Sequence, residues 1–234
     1  MKHPLEKFSY CPVCGSSRFE VDTVKSKRCR DCGFTYFMNP SAATAAVILK
    51  KEALPPVPSC MEGGDLPLSA ERLSTPLHAG RGRGEGLLLL VVRRGKEPAK
   101  GTLDLPGGFS DIGETSEQGV AREVLEETGL HVVSTEFLFS LPNCYVYSGL
   151  EIPTMDLFFR CEVAEAADDA TLQQALHAMD DAAEAMWIPV SELSPDDFGL
   201  DSIRRGAKLL KEWLGYHKNF YFCCFLFFQY LCHV

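Results

Sequence analysis

Residues 108–130 read GFSDIGETSEQGVAREVLEETGL, and the spacing inside this stretch decides the fold of the chain around it. Gly108 is followed after five residues by Glu114, and after seven more by Arg122-Glu123-Val124-Leu125-Glu126-Glu127-Thr128-Gly129-Leu130. Thr115 and Gln118 stand in capping-box spacing and Gly129 stands where a left-handed C-terminal cap belongs, so the pattern predicts a helix between them. On that helix Glu123 and Glu127 lie one turn apart on one face, with Glu126 about 60° to the side. Like charges so placed repel by roughly a few tenths of a kcal/mol. A hard divalent cation reverses the sign, because Mg²⁺ takes oxygen ligands and completes its shell with water and substrate phosphate. The turn Pro106-Gly107-Gly108 lets backbone approach such a site closely. An acidic, solvent-facing helix is the plainer alternative. Seven positions of fixed type coincide by chance only about once in 10⁸ placements, which weighs against it.

The stretch resembles the Nudix box position by position, with Val124 and Leu130 at its two aliphatic places. The resemblance implies an α/β/α sandwich with a mixed sheet. It also implies a Mg²⁺- or Mn²⁺-dependent pyrophosphatase acting on nucleoside diphosphates linked to a second group. On the family pattern Glu123 and Glu127 hold the metal, with help from Glu126 and the Gly108 carbonyl. Arg122 orients these glutamates and Glu114 supports them from behind. Either Glu126 or Glu184 serves as general base; Glu184 enters because an acidic residue shortly before a tryptophan strand, here Trp187, often completes such a site.

Working outward toward the N-terminus, Cys11-Pro12-Val13-Cys14-Gly15 and Cys29-Arg30-Asp31-Cys32-Gly33 are two CxxC-Gly knuckles separated by fourteen residues. Each aims two thiolates at one point, and four thiolates satisfy tetrahedral Zn²⁺ with no open position, so the expected role is structural. A segment of residues 1–38 is too short to bury a core of its own, which a metal staple remedies. Redox dithiols or disulfides are the competing reading. Ten cysteines grouped this way point to a reducing, cytoplasmic setting. Lys25, Lys27, Arg28 and Arg30 form a small basic cluster, more typical of a solvated hairpin than of a nucleic-acid grip.

The second expected domain spans 39–214. Ala42–Lys50 and Leu87–Val92 read as buried strands. Residues 51–85 between them, punctuated by Pro and Gly, read as a disordered insertion. Arg93 and Arg94 at the second strand's end are candidates to face substrate phosphate. Beyond the helix, Val132–Ser140 and Thr154–Val163 read as strands. The intervening 141–151 reads as a loop whose Tyr145 and Tyr147 are candidates to stack on a base or ribose. A short helix is expected at 172–179, an acidic loop leading into a strand at 180–190, and an amphipathic helix at 202–214 with Ile203, Ala207, Leu210 and Leu214 on one face. Residues 215–234 form an apolar, Cys-rich tail, too short to span a bilayer; docking, self-association into a homodimer and a reading-frame accident all stay open.

Net charge of −9 and a pI near 5.2 count against non-specific nucleic-acid binding. Hydrophobic content of 46% with 24% charged residues is that of an ordinary globular protein, and residues 1–7 lack the apolar region of a signal peptide. A cysteine ribbon before a Nudix domain is similar in layout to the NADH pyrophosphatase branch. That branch carries Ser-Gln-Pro-Trp after the box. Here the stretch is Ser140-Leu141-Pro142-Asn143, so NADH specificity does not follow from the layout. Three functions are therefore expected in turn: hydrolysis of an ADP-ribose-like or dinucleotide substrate; hydrolysis of a nucleoside triphosphate or capped RNA; or non-enzymatic sensing of a nucleotide sugar. The complete box disfavours the last.

Overall fold

The computed structural model describes residues 3–51, 86–167, 172, 176–177 and 182–216. The expected insertion (apart from its first residue), most of the short helix at 172–179, and the tail from 217 lie outside the described residues.

Twelve elements follow in order: β1 Phe19–Thr23, β2 Ser26–Cys29, β3 Thr35–Phe37, β4 Ser41–Val47, β5 Leu49–Lys51, β6 Leu87–Arg94, β7 Leu103–Asp104, α1 Ser116–Thr128, β8 Val132–Tyr147, β9 Leu150–Val163, β10 Ala182–Pro189 and α2 Asp201–Tyr216. The first three form a small antiparallel sheet around Cys11, Phe19 and Cys29. In the rest, β4, β9 and β8 form one sheet, and β10, β6 and β5 another, with β7 added to β6. β4 runs parallel to β9 while every other pairing is antiparallel, which gives the mixed character the box resemblance implies.

Burial on both faces makes this a sandwich. Along β4 and β6, Ala45, Val47, Leu89 and Val91 pack with Ile203, Ala207 and Leu210 of α2. The alternate residues Ala46, Ile48 and Leu90 pack with Val120 and Val124 of α1. Strands covered on both faces read as unbroken apolar runs, which is why 87–92 is legible without alternation. The run expected as one strand at 42–50 is divided at Ile48, whose carbonyl accepts the Leu90 N–H at 3.0 Å. On α2, Gly206 lets the helix sit on the sheet: a Cβ there would stand 2.5 Å from the Phe158 ring.

One expected element is corrected. Residues 141–151 are not a loop but the end of a long hairpin, with β8 and β9 paired from Val132↔Val163 to Tyr147↔Leu150. Pro142 is compatible with this strand. β8 is an edge strand, where a missing N–H costs no ladder bond. Pro153 lies one residue beyond the start of the β4 pairing at Thr154, so its other side is also unpaired.

Candidate active site

α1 forms for the local reasons its sequence carries. The Thr115 hydroxyl accepts the Gln118 N–H at 3.3 Å and the Gln118 side chain accepts the Thr115 N–H at 2.9 Å. Gly129, at φ 74°, donates to the Leu125 carbonyl and ends the helix. Burying Val120 and Val124 against the sheet turns the glutamates toward the Pro106–Gly108 turn.

Arg122 is the organising cation of this wall. Its guanidinium donates to Glu114 through Nε at 3.2 Å and Nη2 at 2.9 Å, to Glu123 at 2.9 Å, to Glu126 at 3.0 Å and to the Phe109 carbonyl at 3.1 Å. The bond to Glu114 raises the arginine's already high pKa. In return Arg122, with the Asp111 N–H, holds the Glu114 carboxyl below its ordinary range. Glu127, 8% exposed, accepts the Gly107 N–H at 3.0 Å.

Close approach to backbone requires glycine at 107, while at 108 a side chain would displace the Glu123 carboxylate. A Cβ on Gly107, at φ 154°, would lie 2.0 Å from the Thr44 carbonyl oxygen, and one on Gly108 would lie 2.6 Å from Glu123 Oε1. The Gly108 carbonyl accepts the Thr44 N–H at 2.8 Å, which leaves it one further lone pair. Three carboxylates and a backbone carbonyl are oxygen donors of the kind a hard divalent cation takes.

Glu123, Glu126, Glu127, Gly107 and Gly108 form one wall of a cavity of about 340 Å³. Arg94, Asp104, Asn143, Tyr145 and Asp156 also line it. Of the residues singled out from the sequence, Gly108, the three glutamates, Arg94 and Tyr145 thus meet at one cavity. Glu114 and Arg122 stand behind the glutamate wall. Arg93, Glu184 and Tyr147 are not among the lining residues. Arg93 instead donates to Glu184 at 3.2 Å, where β10 pairs with β6, and Tyr147 is 62% exposed near the hairpin turn.

Sequence reasoning missed Thr44, Asp104, Asn143 and Asp156. The available signal was an acid inside an apolar strand, as in Leu103-Asp104-Leu105 and Asp156-Leu157-Phe158, because a buried charge demands a partner. Asp104 has one: Arg94 Nη1 donates to it at 2.6 Å. Burial raises the Asp104 carboxyl, with the Arg94 charge opposing that rise.

The four knuckle sulfurs lie within 4.8 Å of one another, with Cys11–Cys32 at 3.7 Å and Cys14–Cys29 at 3.5 Å. A tetrahedron with metal–sulfur bonds of about 2.3 Å has edges of about 3.8 Å, so these residues fit a single metal ion. The N–H groups of Cys32 and Asp31 bring the Cys29 thiol down to about 6, while the crowding of neighbouring thiols and burial push Cys14 up to about 12 and raise Cys32.

A family description, NUDIX domain, matches residues 75–209, and the chain belongs to the Nudix family. It is similar to an ADP-ribose pyrophosphatase of Methanocaldococcus jannaschii, 52% identical over 42 residues, which cover 18% of this chain and 25% of the relative. It is also similar to an NAD-capped RNA hydrolase NudC of Haemophilus influenzae (strain PittEE), 40% identical over 142 residues, covering 61% of this chain and 41% of the relative. The chain therefore spans less than half the length of either. A Nudix hydrolase crystal structure from Nitrosomonas europaea shares the fold, with a TM-score of 0.53 at 19% identity over 87% of this chain and 90% of that one. No helix among the described residues is long and apolar enough to cross a membrane.

Proposed function

We propose that this protein is a Mg²⁺- or Mn²⁺-dependent hydrolase that cleaves the diphosphate linkage of a nucleoside diphosphate joined to another moiety, with ADP-ribose as the representative substrate. The observation that carries the reading is the glutamate wall. Arg122 is shared by three carboxylates, Glu114, Glu123 and Glu126, and Glu127 adds a fourth nearby, so negative charge is in excess beside a cavity of nucleotide scale. Divalent metal, when bound by Glu123, Glu126, Glu127 and the Gly108 carbonyl, supplies charge neutralisation at phosphate oxygens and a lowered pKa for attacking water.

The chain's own residues do the rest. Arg122 fixes the rotamers of Glu123 and Glu126 through one shared nitrogen, Nη1. The Gly107 N–H fixes Glu127. Glu126, half exposed on the cavity wall, takes the proton from the attacking water. Glu184 is the less favoured base, because its carboxylate is engaged by Arg93 outside the cavity lining.

The four-cysteine cluster binds Zn²⁺ in this reading and serves stability. Residues 1–38 then constitute a ribbon and 39–214 the catalytic domain, in a cytoplasmic protein free to form a homodimer. A capped-RNA or nucleoside-triphosphate substrate is the second reading, favoured by the resemblance to the Haemophilus influenzae hydrolase. A panel of ADP-ribose, NADH, NAD-capped RNA and nucleoside triphosphates, assayed with Mg²⁺ and scored by product identity, tests both. Mg²⁺-dependent release of AMP from ADP-ribose is the expected result; no turnover of any compound on the panel refutes the assignment.

A further inference from the structure

The cavity lining apart from the glutamates has a composition that phosphate chemistry does not use. Arg94 would ordinarily mark a phosphate site. Here its charge is committed, through Nη1 to Asp104 at 2.6 Å, through Nε to the Pro98 carbonyl at 2.7 Å and through Nη2 to the Tyr145 hydroxyl at 3.3 Å. Asp156 brings a second carboxylate to the lining, so Arg94 and Lys96 leave no net positive charge there. A phosphate is not attracted to such a wall.

Acceptors, by contrast, are in surplus. A carboxylate offers about four acceptor positions. Asp104 uses one on each oxygen, for the Leu105 N–H at 2.8 Å and for Arg94. Asp156 is nearly saturated: it accepts from Asn143 at 3.1 Å, from Thr154 at 2.6 Å and from Ser202, and so ties β8, β9 and α2 together. That tie orients Asn143 with its amide nitrogen toward Asp156 and its carbonyl oxygen away from it. The Thr44 hydroxyl, on a residue 5% exposed in the same cavity lining, has no partner among the described residues. Phe109 packs edge-on against Tyr145 with ring centroids 5.4 Å apart and is 39% exposed, leaving an aromatic surface for a flat ring.

We propose that Thr44, Asp104, Asn143 and Tyr145 form a specificity wall that holds the uncharged part of the substrate through groups that donate hydrogen bonds, namely a nucleobase amine or a ribose cis-diol. The inference rests on the glutamate wall being the phosphate-cleaving side; it assigns the substrate's direction in the cavity. Asp104 is the principal acceptor. Arg94 is a positioning residue that holds Asp104 and Tyr145 and binds no phosphate.

Equilibrium binding to the full chain with Mg²⁺ tests this without turnover, using AMP, IMP, which lacks the amine, and 2′-deoxy-AMP, which lacks one hydroxyl of the diol. AMP is expected to bind more tightly than one of the two analogues by about 10–100-fold, the range for a hydrogen bond to a charged group. The analogue that loses affinity identifies which donor is read. Asp104→Asn removes the charge and replaces one of two acceptor oxygens with a donor, and should erase most of that preference. Thr44→Val and Tyr145→Phe, which keep shape, should each reduce it several-fold. Equal binding of all three nucleotides by the wild type overturns the inference, and so does a preference unchanged in the folded variants. If Asp104→Asn does not fold, Tyr145→Phe and Thr44→Val carry the same decision. Turnover of ADP-ribose with flat nucleotide preferences defeats this inference alone. Preferences as expected without turnover of any diphosphate defeat the hydrolase reading alone.

Discussion

Glu127→Gln separates fold from chemistry more cleanly than any other single change in this protein. The substitution keeps side-chain volume and helix propensity, and the new amide oxygen can still accept the Gly107 N–H now held at 3.0 Å. Residue 127 is 8% exposed, so that backbone bond must be preserved for the fold to tolerate the change. One negative charge leaves a helix face where Glu123 already stands one turn away, which relieves like-charge repulsion worth roughly a few tenths of a kcal/mol. The melting temperature should therefore move by no more than about 2–4 °C, equivalent to about 1 kcal/mol in a chain of this size. Catalysis should respond very differently, because a carboxylate ligand at the phosphate-facing wall acts mainly on the transition state. A fall in kcat of about 10²–10⁴ is expected, or about 2.7–5.5 kcal/mol at about 1.36 kcal/mol per tenfold. The assay is Mg²⁺-dependent release of AMP from ADP-ribose, paired with thermal melts and a Mg²⁺ titration of the rate. Leu125→Met, altering a partly exposed residue of the same helix outside the cavity lining, is the control and should change kcat little. A folded Glu127→Gln protein with wild-type turnover would refute the assignment of this wall as the metal-binding side.

Other outcomes follow from the same geometry. Arg122→Lys keeps the charge but cannot reproduce the two-pronged bond to Glu114 together with those to Glu123 and Glu126, so kcat should drop at least tenfold while Mg²⁺-free stability falls only modestly; steady-state kinetics beside melts will show it. Glu114 has a folded pKa below its ordinary 4.5, so the stability it contributes is fully present above about pH 4.5 and is lost as pH falls through the depressed value. Acid melts of the wild type should decline in that window, and Arg122→Met should flatten the decline. Gly107→Ala places a Cβ 2.0 Å from the Thr44 carbonyl oxygen at φ 154°, which should cost more than about 2 kcal/mol and appear as lowered solubility or a depressed melt. Cys14→Ser should release about one equivalent of zinc per chain, measured by elemental analysis, and should increase proteolysis of residues 1–38 while the hydrolase retains turnover; zinc-free wild-type protein with paired disulfides would contradict the cluster's reading.

Local chemistry in the sequence was sufficient for the parts of this protein whose causes are local. The limits of α1 follow from Thr115, Gln118 and Gly129, three residues that act on backbone within one turn of themselves. Its glutamates share a face because helical geometry permits nothing else, and the cysteine knuckles converge because each CxxC-Gly turn is self-contained. The buried strands at β4 and β6 were legible because a strand covered on both faces is apolar throughout. Tertiary structure decided whatever depends on partners far apart in the chain. Residues 141–151 read as a loop, and only their pairing with β9 at the sheet edge makes them strand. Arg93 and Arg94 are chemically equivalent in the sequence, yet strand alternation sends one to Glu184, ninety-one residues away, and the other into the cavity, where Asp104 and Tyr145 consume its charge. Asp156 became a structural tie through Asn143 on β8 and Ser202 on α2. No spacing rule reaches such contacts, because a side chain's partner across the core is set by how whole strands and helices pack, not by its neighbours along the chain.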